Sequence, residues 1–215
     1  MNEVAGSDPG RPLIEAILFD LGGVLVELKG VPRMREWMDW SVSEDELWRR
    51  WLLSPTVRAF ETGRSTPDQF ASGMISEFSL PVDEDQFLKE YTSWPVRLYP
   101  GTESLLRELA GKFILGSLTN TNVLHWHRLR DEMGLGHLLE HNFPSHETGL
   151  LKPDREGYLN AARSMDCAID RILFLDDNQM NVDGAASVGM VSRRAMGIAG
   201  TMFALTELGL LGRMR

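Results

Sequence analysis

The sequence predicts an α/β protein, a Rossmann-like doubly wound parallel sheet with a helical cap inserted after its first strand. Short apolar runs stop abruptly at polar residues: Ile17-Leu18-Phe19 at Asp20, and Ile172 to Leu175 at Asp176-Asp177. From Tyr99 onward such runs alternate with helical periodicity, the pattern of parallel strands joined by crossover helices. Between Gly30 and Arg97 the apolar spacing is helical and no strand stands out. The expected organisation is a flexible tail over 1–12, a core built from 13–29 and 98–215, and a helical cap over 30–97.

The first apolar run, Leu13 to Leu21, leads into Gly22-Gly23 and reads as a buried strand followed by a tight turn. In the cap, Trp37, Trp40, Leu47, Trp48, Trp51 and Leu52 recur at helical intervals. Helix starts are marked by Ser43 with Glu46 three residues on, by Ser54-Pro55, by Thr66-Pro67 and by Asp83 with Gln86. In the core, helices are expected near Thr102–Ala110, Val123–Met133, Arg155–Met165 and Val182–Val188. Strands are expected at Phe113–Leu118, near Asn142–Ser145, and at Ile172–Leu175. The tryptophans Trp37, Trp40, Trp48 and Trp51 are expected to build the cap's own core rather than a sugar-stacking surface.

Composition bounds the function. The chain has 215 residues and a net charge of −9, an acidic balance that repels nucleic-acid phosphates. A single cysteine, Cys167, rules out an internal disulfide and fits a reducing, cytoplasmic setting. Met1 to Pro12 lacks the basic start and apolar run of a signal peptide, and no membrane segment is expected.

In parallel sheets, ligands bind beyond the carboxyl ends of the strands. Asp20, Thr119-Asn120 and Asp176-Asp177 follow three such runs, and Lys152-Pro153 lies between the second and third. Three carboxylates in one crevice repel one another unless a cation neutralises them, and an all-oxygen set favours a hard ion, Mg²⁺.

Asp20-Leu-Gly-Gly-Val-Leu, Leu118-Thr-Asn, Lys152-Pro153 and Phe174-Leu-Asp-Asp-Asn-Gln-Met-Asn181 resemble, in order and spacing, the four motifs of the haloacid dehalogenase-like (HAD) hydrolase superfamily. The inserted bundle resembles that superfamily's C1-type cap, and Phe60-Glu-Thr-Gly63 with Thr66 and Phe70 resembles a recurring cap element. Phe19-Asp-Leu-Gly, Leu118-Thr-Asn-Thr-Asn122 with Leu124-His125, and Asp176-Asp-Asn178 are most similar to the bacterial α-D-glucose-1-phosphate phosphatase branch.

The resemblance implies a Mg²⁺-dependent phosphatase acting on a small phosphorylated metabolite, plausibly a sugar phosphate. Asp20 would be the nucleophile that forms an aspartyl-phosphate. Asp20, Asp177, the Gly22 carbonyl and Asp176, directly or through water, would hold the metal. Thr119, Lys152, Asn120, Gly22 and Gly23 would surround the phosphoryl group, and Asn181 would orient Lys152 or the acidic pair. One departure stands out. Position 22, where active phosphatases of the superfamily usually carry a general acid/base Asp, is glycine; such a loss typically costs about 10²–10⁴ in rate.

Three responses to that gap follow: a leaving group that needs little protonation, an acid supplied by the cap or by His125, or a catalytically silent phosphate-binding protein. Haloacid dehalogenation is a further alternative, opposed by the acidic pair. His127, Arg58 and Glu61 are weaker candidates for the site.

Overall fold

The computed structural model describes residues 13–212; the tail expected over 1–12 lies outside the described residues. In chain order the elements are β1 (Ala16–Phe19), β2 (Val26–Leu28), α1 (Gly30–Trp37), α2 (Glu44–Leu53), α3 (Pro55–Glu61), α4 (Pro67–Phe78), α5 (Glu84–Thr92) and β3 (Pro95–Leu98). There follow α6 (Thr102–Ala110), β4 (Ile114–Thr119), α7 (Val123–His127), α8 (Leu135–Leu138), β5 (His141–Pro144), α9 (Ser145–Thr148) and α10 (Arg155–Ser164). The chain ends with β6 (Ile172–Asp176), α11 (Gln179–Ser187), β7 (Val191–Arg194) and α12 (Gly197–Glu207).

Five parallel strands in the order β5-β4-β1-β6-β7 form the core sheet. Alternation along the strands sorts the apolar side chains to two faces. Ile17, Phe19, Leu173 and Leu175 join the cluster that includes Leu105, Leu106, Leu109, Trp126 and Leu205, while Leu18, Ile172 and Phe174 join Tyr158, Ala161 and Ala185. β1 is buried at every position because it is flanked by strands and covered on both faces.

The cap helices begin where the capping residues are. Ser43 Oγ accepts from the Glu46 N–H, Ser54 Oγ from Val57, and Asp83 Oδ1 from Gln86. Thr66 and Gln69 form a reciprocal capping box. Each such cap is worth about 1 kcal/mol. Phe60, Phe70, Phe87 and Tyr91 stack at the centre, with Trp37 and Trp51 packed against them. Trp48 is half-buried, whereas Trp40 is exposed and lies against the Arg35 guanidinium, outside any helix.

Three features depart from expectation. β3 falls at the end of the segment expected to lack strands and pairs antiparallel with β2, so a two-stranded ribbon carries the chain into and out of the helical insertion. Glu27 and Arg97 pair across it at 2.8 Å. β7 and α12, absent from the expected pattern, complete the sheet edge and cover one face. Beyond α7 the helix also loosens into a π-helical turn, Arg128–Glu132, instead of running regularly to Met133. Among the described residues no helix is long and apolar enough to cross a membrane.

Candidate active site

Parallel register brings the strand tips together. Phe19 lies opposite both Ser117 of β4 and Leu175 of β6, so Asp20 emerges beside Thr119 and Asp176. The Asp20 N–H continues the ladder to the Leu175 carbonyl at 2.8 Å. One carboxylate oxygen from each of Asp20, Asp176 and Asp177 lies within 4.8 Å of the others. Lys152 is nearly fully buried among them, its Nζ donating to Asp20 Oδ1 at 2.7 Å and to Asp176 Oδ2 at 2.6 Å.

Neighbouring residues fix these groups in place. Asn120 grips the Lys152 backbone, accepting from its N–H at 2.8 Å and donating to its carbonyl at 2.9 Å. The Asn120 carboxamide, expected at the substrate, is therefore engaged in positioning the lysine. Asn181 Nδ2 donates to both oxygens of Asp176, at 3.1 and 3.0 Å, and the Asn178 N–H adds a third donor at 2.8 Å. Tyr158 OH in turn holds the Asn181 carbonyl. Asn181 thus holds Asp176, one member of the acidic pair, rather than contacting Lys152.

The two glycines differ. Gly23 has a φ of +72°, and a Cβ there would fall on the Asp177 carboxylate, so only glycine leaves that acid its place. The Gly23 N–H is engaged in the turn, donating to the Val26 carbonyl at 2.9 Å, and so is not free for a phosphate. At Gly22 an added Cβ would meet only the flexible end of Leu28, at 2.6 Å.

Burial raises the carboxyl of Asp20 to about 6, Lys152 opposing and Asp176 reinforcing the shift. Burial, then the charges of Asp20 and Asp176, raise Asp177 to about 7. Desolvation works against the Lys152 ammonium, but Asp176 and Asp20 outweigh it and hold the lysine protonated. Three carboxylates face one ammonium, leaving a double negative excess that a divalent cation would neutralise. The donor set is all oxygen, as a hard cation requires.

The cap closes over this crevice through few, specific contacts. Arg58 of α3 pairs with Asp154, two residues beyond Lys152. Gly63, with φ +71°, lets the turn after α3 rest on the His146 carbonyl, where a Cβ would approach to 2.5 Å. Tyr91 OH accepts from Asn122 at 2.8 Å, and the Tyr91 carbonyl lies 2.7 Å from His125 Nε2.

His125 does not fill the expected role of acid. Burial lowers it to about 4, its ring stacks on Tyr91, and both nitrogens are engaged, Nδ1 with Asn122. His127 is exposed and pairs with Asp131. Glu61 is buried beneath the cap at 8% exposure, while Arg58 remains half-exposed. Sequence reasoning missed Asn122, Tyr91 and Tyr158 as positioning residues. The Asx start at Asn122, whose side chain caps α7, was the available signal for the first.

A family model described as haloacid dehalogenase-like hydrolase matches residues 14–189. The chain is 30% identical over 195 residues to a sesquiterpene phosphatase of Aspergillus oryzae, covering 90% of this chain and 96% of that protein. It is 28% identical over 206 residues to a mitochondrial (DL)-glycerol-3-phosphatase of Arabidopsis thaliana, covering 87% of this chain and 65% of that protein. A HAD family enzyme from Bacteroides thetaiotaomicron, solved with magnesium and inorganic phosphate, shares the fold with a TM-score of 0.68 at 22% identity, over 85% of this chain and 94% of that one. A family match that runs from the first strand through the fourth motif makes the chain a member of the haloacid dehalogenase-like hydrolases.

Proposed function

We propose that this protein is a Mg²⁺-dependent phosphatase that hydrolyses a small phosphorylated metabolite through an aspartyl-phosphate on Asp20. The observation that carries the reading is the Asp20 carboxylate at the tip of the central strand, bonded to Lys152 and clustered with Asp176 and Asp177. The phosphatases among the relatives and the magnesium and phosphate bound in the Bacteroides enzyme support it.

Asp20 attacks phosphorus. Lys152 and Thr119, with backbone N–H groups following Asp20 and Thr119, stabilise the phosphoryl oxygens as charge spreads over them. Side chains of Asp20 and Asp177 and the Gly22 carbonyl would hold the metal. Asp176, already bonded to Lys152, Asn178 and Asn181, adds negative charge and a contact through water. Bound Mg²⁺ supplies the positive charge that keeps the buried Asp20 ionised and offsets the phosphate. Asn120 and Asn181 position Lys152 and Asp176. The helical segment 30–97 acts as a cap that excludes water from the crevice.

Resemblance to the glucose-1-phosphate branch makes an anomeric sugar phosphate the first substrate to test; glycerol phosphate and a sesquiterpenyl phosphate follow from the relatives. Cytoplasmic residence belongs to the same reading, with Cys167 buried and unpaired. The acidic crevice disfavours an anionic haloacid.

The test is phosphate release from a panel of these esters, with Mg²⁺ and with EDTA, by the wild type and Asp20→Asn. Expected are turnover that requires the metal and complete loss in the folded variant. Full activity of Asp20→Asn would refute the mechanism. Halide release from a haloacid in EDTA would replace it with dehalogenation, and absence of turnover with retained phosphate binding would favour the silent protein.

A further inference from the structure

When an ester's phosphoryl group passes to a carboxylate, the departing oxygen needs a proton, and hydrolysis of the acyl phosphate then needs a base for water. Position 22, two residues beyond the nucleophile, is glycine and offers no side chain for either step. We propose that Glu61, at the last position of α3 in the cap, is the proton donor and acceptor of this reaction, an inference that rests on the phosphatase reading above.

The geometry of α3 directs its end at the core. Arg58 on the same helix pairs with Asp154, and the turn that follows Glu61 rests on the His146 carbonyl through Gly63. Both contacts flank the Lys152 loop. Glu61 is more than nine-tenths buried, yet its carboxyl receives a single long hydrogen bond, from Trp51 Nε1 of α2 at 3.5 Å. Among the described residues no cation forms an ion pair with it. A buried carboxyl so poorly supplied with donors is retained at a cost in stability, which makes a purely structural role a poor account of it.

The groups that act on it are Trp51 from α2, Tyr91 from α5, and Lys152 and Asp20 from the core. Its donor Trp51 stacks on Tyr91, whose hydroxyl accepts from Asn122 three residues past Thr119, so Glu61 lies on the side of the cap that meets the core. Burial raises its carboxyl to about 7, with the Trp51 bond and Lys152 opposing. A group that titrates near neutrality can both give and take a proton. His125, the other candidate in the cap contact, is held neutral and fully bonded.

The step balances as follows. An Asp20 oxygen forms a bond to phosphorus, the ester P–O bond breaks with its electron pair on the leaving oxygen, and that oxygen takes the Glu61 proton. Water then attacks the aspartyl-phosphate and gives a proton to the Glu61 carboxylate. The P–O bond to Asp20 breaks, which regenerates both residues and releases inorganic phosphate.

The experiment compares p-nitrophenyl phosphate, whose leaving group needs little protonation, with glycerol phosphate, whose alkoxide needs it fully. In Glu61→Gln, kcat/KM, which reports phosphoryl transfer to Asp20, is expected to fall about 10²–10⁴-fold for glycerol phosphate and less than about tenfold for the aryl ester, while kcat falls on both because hydrolysis of the shared aspartyl-phosphate loses its base. The double variant Gly22→Asp/Glu61→Gln is expected to regain alkyl-ester turnover. An equal fall in kcat/KM on both esters, or undiminished glycerol phosphate hydrolysis, overturns the assignment. Should Glu61→Gln fail to fold, the wild-type kcat/KM across an aryl-to-alkyl ester series decides: weak dependence on leaving-group basicity supports a donor, and steep dependence or turnover of aryl esters alone overturns it. Asp20→Asn, run in parallel, loses both esters; if it does not, the phosphatase reading fails independently of Glu61.

Discussion

At the strand tips, three carboxylates share a buried space with one ammonium, which bonds to Asp20 and Asp176; in the cap, one carboxyl sits among aromatic rings with a distant donor, Trp51. Both places desolvate acids, with different results. In the crevice, Lys152 and the Asn181 amide hold Asp176 in a charged network whose remaining excess suits a cation. In the cap, the long Trp51 bond and the Lys152 charge offset only part of the desolvation of Glu61, and its carboxyl is pushed up to about 7. One region is built to carry charge and the other to exchange it.

The largest expected effect separates the two regions by stability. Phe70→Ala opens a cavity at the centre of the cap stack, where Phe70 is wholly buried, and should destabilise the protein by about 3–5 kcal/mol in denaturant unfolding. Mg²⁺ binding measured by calorimetry under native conditions should persist, because no crevice residue moves. Loss of metal binding with intact folding would erase the distinction.

Next comes Asn181→Ala, which removes two hydrogen bonds from Asp176 and should weaken Mg²⁺ affinity about 10–100-fold. An unchanged affinity would mean that Asp176 needs no orientation.

The pH dependence of stability sharpens the contrast further. The folded Glu61 carboxyl, at about 7, stands above the ordinary glutamate value of 4.5. Its contribution to stability is therefore complete below about pH 4.5 and is lost as pH rises through about 7. Between about pH 5 and 8 the wild-type Tm should fall more than that of Glu61→Gln, which cannot titrate. Parallel Tm curves would show that Glu61 is ionised throughout.

Arg58→Ala should matter least. The ion pair to Asp154 is about half-exposed on both sides, so its loss should cost at most about 1 kcal/mol by thermal unfolding.

The crevice was readable in the sequence because a parallel sheet aligns its strand ends: an acid directly after an apolar run has few other places to go. Asp20 and Asp176 are cases of this, and Ser43, Ser54, Thr66 and Asp83 are the helical equivalent, local signals with local consequences. The β2–β3 ribbon was not legible, since Val26–Leu28 is short and β3 begins at a proline. β7 ends in two arginines, and α12 contains Gly197 and Gly200, which weaken a helical pattern. Glu61 was legible as a candidate but not as a buried one. Its environment comes from α2, α5 and the core, none of which is near it in sequence.

Tyr91 belongs to the aromatic centre of the cap and also touches the core at two points, through its hydroxyl to Asn122 and through its carbonyl to His125. Asn122 lies three residues past Thr119, on the loop that leaves β4 at the crevice. A single residue thereby rivets the roof to the floor of the chamber. Lifting the one must break its bonds to the other, so in the proposed reaction product departure would be coupled to that loop.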